Sequence, residues 1–279
     1  MLRVGLIQLT ASDDPGANLP ITIELIRRAV SDGATFVLTP EVTNCVSGSR
    51  AWQNDVLQTE AEDQTLEGLR ALAAELKIWL LIGSLALKTS DPDGRFANRS
   101  FLIDPAGQIV ARYDKIHMFD VQVSETETYQ ESAGFRPGLR VVMADTSIAK
   151  IGMSVCYDVR FPQLYRRLAH AGAQILTVPA AFSPGTGPMH WEPLLRARAI
   201  ENGAFVLAPA QTGQHKAARG RARTTWGHSL VVSPWGEILA DAGTQTGFTV
   251  VDLDLEQVDA VRRKVPSLLH DRPIVGPDE

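Results

Sequence analysis

Short apolar runs of strand length recur along the whole chain, and their number constrains the fold more than any other feature. About a dozen can be marked, roughly twice the strand count of an average sheet, so the chain implies two sheets and not one. Residues 4–9 read as a first strand, Pro15 and Gly16 mark a turn, and 21–30 read as a helix with Leu25, Ile26, Ala29 and Val30 as its buried stripe. Residues 35–39 form the next strand, 64–76 a helix with Leu66, Leu69, Leu72 and Leu76 at helical spacing, and 79–85 a third strand. Residues 96–103 and 109–113 flank the turn signal Asp104-Pro105-Ala106-Gly107-Gln108, so antiparallel pairing enters there. A loop over 116–138, carrying Glu125, Glu127 and Glu131, is too long to be a mere connection. Further strands are expected over 151–155, 174–178, 204–208, 229–232, 237–240 and 248–253, with helices from 161, over 190–201 and over 255–264. From Pro266 the chain reads as an extended tail reaching toward a neighbouring subunit. Strands alternating with helices, with hairpins interspersed, make this an α/β chain of two mixed sheets covered by helices. No fixed repeat of 20 to 50 residues is visible.

With 279 residues and no linker to cut at, the chain reads as one domain over 1–279. Its net charge of -5 argues against a nucleic-acid partner or an anionic membrane surface. Cys45 and Cys156 make no disulfide framework, and no Cys/His spacing resembles a metal site, so a reducing, cytoplasmic setting is expected. The N-terminal MLRVGLIQLT has the pattern of a strand and not of a signal peptide. The longest apolar stretch, 78–87, is broken by Gly83 and Ser84 and falls well short of the ~18 residues that span a bilayer. Asn98-Arg99-Ser100 has the form of a glycosylation sequon, which carries no weight without a secretory signal.

The stretch AKIGMSVCYDVRFPQLYRRL, residues 149–168, offers the first chemistry. Ile151, Met153 and Val155 alternate with Gly152 and Ser154 as a half-buried strand would, and the apolar run stops at Cys156, on a strand-to-helix turn. Such a turn lifts one side chain out of the sheet edge and aims the following N–H groups at whatever it attacks. The thiol is thus a candidate nucleophile, although a free cysteine is as often a small buried apolar residue. Glu41 and Lys115 also stand directly after apolar strand runs, and sites collect at the carboxyl ends of strands. A carboxylate to take the thiol proton and an ammonium to face a developing oxyanion would complete a sensible set, with the Tyr157 N–H as a second donor. Taken singly, Glu41 reads sooner as a cap or surface charge and Lys115 sooner as a solvated strand end, and Cys45 reads as structural filler.

The runs FVLTPE, RYDKIHMFDV, YQESAGFRPG, GMSVCYDVRFPQL, HWEPLLRARAIEN and GHSLVVSPWGEILA, in this order along nearly the whole chain, resemble the nitrilase superfamily of carbon-nitrogen hydrolases. The resemblance implies a four-layer α-β-β-α sandwich, a homodimer or larger assembly, and a Glu-Lys-Cys triad that falls on Glu41, Lys115 and Cys156, with Glu131 as a further glutamate positioning the lysine or the substrate. It implies no metal and no organic cofactor. The substrate implied is a small-molecule amide, and an anionic one, because the chain looks most like the Nit-type branch acting on ω-amides of 2-oxo acids. Of its two subgroups, deaminated glutathione amidase and ω-amidase acting on 2-oxoglutaramate, the Gln211 segment and LLRARAIE lean to the first, while TGPMHWE and TWGHS are shared or lean to the second. The first is favoured, with another carbon-nitrogen hydrolase (an N-carbamoyl amino acid or aliphatic amidase, or a nitrilase) and an interaction partner that keeps the fold as the alternatives. By the same resemblance Tyr157, Phe182, Thr186 and Met118 lie in loops expected to line the pocket. Residues 215–223 are richer in arginine than either subgroup's loop; they read as a solvated loop or as an attractor of substrate carboxylates. Arg198 and Glu201 read as a structural pair on a helix, and neither His190 nor His228 is placed to serve as the base of a Cys-His hydrolase.

Overall fold

A computed structural model of the chain describes residues 1–123, 125 and 128–277; Glu127 lies outside the described residues. In chain order it forms β1 (Leu2–Gln8), α1 (Pro15–Ser31), β2 (Phe36–Leu38), α2 (Arg50–Val56), α3 (Gln64–Leu76), β3 (Trp79–Leu87), β4 (Ala97–Ile103), β5 (Ile109–Asp114), β6 (Asp120–Gln122), β7 (Thr128–Gln130) and β8 (Met143–Asp145). There follow β9 (Lys150–Met153), α4 (Pro162–His170), β10 (Ile175–Thr177), α5 (Gly187–Asn202), β11 (Phe205–Ala208), β12 (Thr212–Gln214), β13 (Thr224–Trp226), β14 (Leu230–Val232), β15 (Ile238–Asp241), β16 (Gly247–Leu253) and α6 (Glu256–Lys264).

Two mixed sheets carry the fold, in the orders β16-β1-β2-β3-β4-β5 and β15-β14-β11-β10-β9-β8. In the first, β16 pairs antiparallel with β1, β1 to β3 are parallel, and β4 and β5 add antiparallel. The second repeats that pattern strand for strand: β8 is antiparallel to β9, β9 to β11 are parallel, and β14 and β15 add antiparallel. The strands are apolar on both faces, as sheets buried on both sides must be. Val4, Leu6, Phe36, Leu38, Leu81 and Leu102 point inward and pack with Ile151, Met153 and Ile175 of the second sheet. Ile7, Val37, Leu80, Ile82 and Ile103 point outward and pack under Leu25 and Ile26 of α1 and Leu66, Leu69 and Leu72 of α3. On the far side Leu164, Leu168, Trp191 and Leu195, from α4 and α5, cover the second sheet. The result is the α-β-β-α layering.

Several elements differ from the sequence expectation at their ends. Helix α1 starts at Pro15, because Asp14 caps it by accepting from the Gly16 and Ala17 N–H groups, and proline at the first helical position initiates a helix instead of ending a turn. Helix α2 has no long apolar stripe; Ser49 caps it through the Trp52 N–H. The stretch 116–138 is not bare loop, since β6 and β7 pair within it and Glu131–Ala133 form a 3-10 turn. The tail folds back at first: Ser267–His270 form a 3-10 turn, with Arg166 of α4 donating to Ser267 O at 2.6 Å and pairing with Asp271. No described helix is long and apolar enough to cross a membrane. Among the described residues no group of three or more His, Cys, Asp or Glu could hold a metal ion.

Candidate active site

Because β4 runs antiparallel to both β3 and β5, the carboxyl ends of β2, β3 and β5 share one edge, and Glu41 and Lys115 leave from it. The turn bearing Glu41 is clamped to β3: the Val42 N–H donates to Ser84 Oγ at 2.8 Å, and a Cβ on Gly83 would lie 2.0 Å from Thr39 O and 2.5 Å from Pro40 O. Only glycine lets β3 pass that closely under the turn. Cys156 comes from the other sheet, just beyond β9. It opens a 3-10 helix, Cys156–Arg160, that intervenes before α4, which begins at Pro162 and not at 161. Its φ is +49°, and that of Val42 is +46°. Such backbone costs on the order of 1–3 kcal/mol at a non-glycine residue and is held only where the surroundings dictate it. Here the Cys156 N–H donates to Pro179 O at 2.9 Å, the Val155 N–H donates to the Asp158 carboxylate at 2.9 Å, and Arg198 Nε donates to Val159 O at 2.8 Å. The Arg198–Glu201 pair, at 2.7 Å, thus braces the turn from behind.

The side chains that the sequence put at three strand ends meet. Lys115 Nζ, on a residue 2% exposed, lies 2.9 Å from Glu41 Oε1 and 2.8 and 2.7 Å from the two Glu131 oxygens. Glu41 Oε2 accepts from the Ala181 N–H at 2.8 Å, and the Glu41 charge acts on the Cys156 thiol. Glu131 accepts from the Phe119 N–H at 2.6 Å. Asn98 joins the two carboxylates, donating to Glu41 at 2.9 Å and to Glu131 at 3.3 Å. An asparagine inside an apolar strand run was the signal for it, since strands disfavour that residue unless its amide is needed.

Charge and burial work against each other here. Burial alone would raise the Glu41 carboxyl, but the Lys115 charge and hydrogen bond outweigh it, with Arg223 adding, and hold it below its ordinary value. Burial would lower Lys115, and the charges of Glu131 and Glu41 reverse that, so it stays an ammonium. Burial first, then the Glu41 charge, push the Cys156 thiol well above its usual range despite Lys115. At rest the set is therefore a neutral thiol beside a carboxylate and an ammonium. Cys45, pushed up to about 12 mainly by burial, is a protonated, buried thiol.

A cavity of about 640 Å³ opens over this cluster. Glu41, Lys115, Glu131, Cys156, Tyr157, Phe182 and Thr186 line it. Met118 does not; the neighbouring Phe119 does, its ring 5.1 Å from that of Tyr157. Since Met118 follows Lys115 by three residues in an irregular segment, the sequence set the segment but not which side chain turns inward. Arg221 and Arg223 also line the cavity, so the segment between β12 and β13 is not simply solvated. His228 pairs with Asp241, and neither His190 nor His228 lines the cavity. The N–H of Tyr157 sits in the first turn of the 3-10 helix, where N–H groups have no partner within the helix.

Residues 3–263 match the family model of the carbon-nitrogen hydrolases. The deaminated glutathione amidase of Synechocystis sp. is 40% identical over 266 residues, covering 95% of this chain and 96% of that protein. Omega-amidase NIT2 of Homo sapiens is 35% identical over 264 residues, covering 95% and 92%. Among solved structures the C. elegans NitFhit protein superposes with a TM-score of 0.89 at 35% identity, over 97% of this chain and 65% of that longer one. An amidase from Nesterenkonia sp. AN1, determined with acrylamide added at its active-site cysteine, gives a TM-score of 0.76 at 27% identity over 95% and 98%. With its four-layer architecture and a family match over nearly its whole length, the chain belongs to the carbon-nitrogen hydrolase family of the nitrilase superfamily, enzymes that hydrolyse carbon–nitrogen bonds.

Proposed function

We propose that this chain is a cysteine-dependent amidase that cleaves the linear amide of a small carboxylic or 2-oxo acid through a thioester on Cys156, most like a deaminated glutathione amidase. The observation that carries the reading is the meeting of a thiol, a carboxylate and a buried ammonium in one cavity. Relatives named deaminated glutathione amidase at 40% identity support the substrate class; those named omega-amidase, at 35%, make 2-oxoglutaramate the second candidate.

The chemistry follows from the resting charges. Because the free thiolate is disfavoured, Sγ attacks the amide carbon as Glu41 takes its proton, a general-base contribution of typically 10²–10⁴-fold. The carbonyl oxygen becomes an oxyanion facing Lys115 Nζ and the Tyr157 N–H; one such donor contributes on the order of 3 kcal/mol. Glu41 then protonates the nitrogen, the C–N bond breaks, and ammonia or an amine departs. Water gives a proton to Glu41 and attacks the thioester carbon, the C–S bond breaks, and sulfur recovers the proton as the acid leaves. Glu131, the Phe119 N–H and Asn98 hold Lys115 where the oxyanion forms.

A panel of deaminated glutathione, 2-oxoglutaramate, N-carbamoyl amino acids and aliphatic amides, scored by acid and by ammonia or amine release, tests the reading. Deaminated glutathione is expected to be turned over best, and Cys156→Ala to abolish turnover while keeping the fold. A thioester found by mass spectrometry on the peptide containing Cys156 assigns the nucleophile. Turnover retained by Cys156→Ala would overturn it. The chain is read further as one domain in a reducing, cytoplasmic compartment and as a homodimer or larger assembly, to which exposed Met189, Ile200 and Trp235 are suited; light scattering measures the latter.

A further inference from the structure

An ionised carboxylate offers about four acceptor positions, two on each oxygen. Those of Glu131 are filled by described residues: Lys115 Nζ lies 2.8 Å from Oε1 and 2.7 Å from Oε2, Asn98 Nδ2 donates to Oε1 at 3.3 Å, and the Phe119 N–H donates to Oε2 at 2.6 Å. Glu41 is filled unevenly. Its Oε1 accepts from Lys115 Nζ at 2.9 Å and from Asn98 Nδ2 at 2.9 Å, whereas the donor on Oε2 is the Ala181 N–H at 2.8 Å. Among the described residues, the position left open on this pair of acids is therefore on Glu41 Oε2. The same Ala181 N–H bears on the Cys156 thiol, opposing the effect of burial, so Oε2 and the sulfur share a neighbour.

Asn98 reaches the acids from β4 and is 2% exposed. Its Nδ2 serves both carboxylates, while Oδ1 is buried without a partner. Strands disfavour asparagine and a bare buried acceptor lowers stability, so the position needs this amide for something. Turned over, the amide would aim a carbonyl oxygen at two carboxylates; only Nδ2 is attracted to them. The strand itself does not ask for the side chain, because its place beside the lysine is held by the main chain, the Lys115 N–H donating to Asn98 O at 3.0 Å.

We propose that Asn98 is a positioning residue: with Lys115 it occupies Glu41 Oε1, so that Oε2 is the oxygen that takes the Cys156 proton and hands it to the leaving nitrogen. The inference rests on the amidase reading, in which Glu41 is the base, and adds to it which oxygen acts and what keeps the other from acting. The proton passes from Sγ to Oε2 as the S–C bond forms, then from Oε2 to nitrogen as the C–N bond breaks, and Oε1 keeps its two donors throughout. The competing role is support alone, in which Asn98 joins β4 to the acids and leaves their protonation untouched. Lys115, Glu131, Cys156 and Arg223 are the other charged or titratable groups grouped with Glu41, and Arg50, Arg221 and Cys45 line the same cavity; replacing Asn98 leaves each of them in the chain.

The two roles separate in the pH dependence of kcat/KM, measured on the amide of the panel that wild type cleaves fastest. Asn98→Leu removes the donor at nearly constant size. Glu41 then loses a hydrogen bond to its charged form, so the acid limb should move up by about one pH unit or more, and kcat at pH 7.5 should fall about tenfold with KM changed less than about threefold. Asn98→Asp, which sets a third acid beside Glu41, should move the limb at least as far. A limb left where wild type has it, with activity unchanged or lowered equally at every pH, overturns the proposal. Acrylamide addition, followed by mass on the peptide containing Cys156, reads the same proton transfer without amide cleavage: sulfur bonds the terminal alkene carbon, and the thiol proton passes through Glu41 to the carbon beside the carbonyl. Its acid limb should move in both variants as that of kcat/KM does, and an unmoved limb is again fatal. If wild type cleaves no amide while the acrylamide limb still moves, the role of Asn98 stands and the amidase reading falls. Circular dichroism shows whether Asn98→Leu folds; if it does not, Asn98→Asp, of the same size as the native residue, carries the test.

Discussion

The proton on Cys156 has one carboxylate beside it, and that carboxylate is held in its charged form by Lys115. In the proposed mechanism Glu41 is the base, and a base must be unprotonated to act, so activity is expected to fall as pH drops through the Glu41 value, which lies below its ordinary 4.5. The acid limb of kcat/KM is therefore expected below pH 4.5, with no loss assignable to Glu41 between pH 7 and 5; a rate profile in that interval checks it. Glu41→Gln should keep the fold and lower kcat by about 10²–10⁴. Lys115→Met is different in kind, because it leaves Glu41 and Glu131 facing each other without their cation. A stability loss of about 3–5 kcal/mol is expected from such an uncompensated buried charge, measurable by urea unfolding. Glu41, Lys115 and Cys156 were legible because each interrupts an apolar run at the end of a strand. Asn98 was singled out in the sequence only as part of a sequon; its place in an apolar strand run hinted that its amide is needed, but its partners, Glu41 and Glu131, are far away along the chain and nothing local names them.

Among elements, the joint between the two sheets depends on a few close approaches. Asp158, fully buried in the turn after Cys156, accepts from Tyr113 Oη at 2.7 Å, from the His117 N–H at 3.0 Å and from the Val155 N–H at 2.9 Å, and its carboxylate lies 2.7 Å from His117 Nδ1. Tyr113 and His117 flank Lys115, and Val155 precedes Cys156, so one carboxylate ties the end of β5 to the turn that bears Cys156. Asp158→Asn puts an amide NH₂ among donors; a loss of about 1–3 kcal/mol in stability is expected, with kcat falling more than KM rises. Gly83→Ala should cost about 3 kcal/mol or more by forcing β3 away from the Thr39 and Pro40 carbonyls, and its urea midpoint and activity should fall together. Helix interiors were legible from apolar spacing, and α3 matches residue for residue. Starts such as Pro15 were misread because proline signals both a turn and a first helical turn, and the capping aspartate decides between them.

At the scale of the molecule, two sheets could be counted from the sequence, but their identical pairing order could not, because strand order depends on which backbones meet and leaves no repeat in residue type. His215 links this scale to solution conditions. It sits in the segment joining β12 to β13, its Nδ1 2.7 Å from Ala11 O and its Nε2 2.7 Å from Thr225 Oγ1. Burial, aided by the Arg223 charge and against the Ala11 hydrogen bond, pushes it down to about 4, from an ordinary 6.5. Between those values protons bind preferentially to the unfolded chain, so stability falls as pH drops from about 6.5 to about 4 and has no such slope above; the total is about 3 kcal/mol. Urea midpoints at pH 7.5 and 4.5 should show the loss, and His215→Gln should flatten it.

The sulfur stands on one sheet, while the acid and the ammonium stand on the other. An acyl group bonded to that sulfur and gripped from across the seam would rivet the halves together. Trapped enzyme should then melt later than empty enzyme, and the first crack between the layers should silence turnover before either half has come apart.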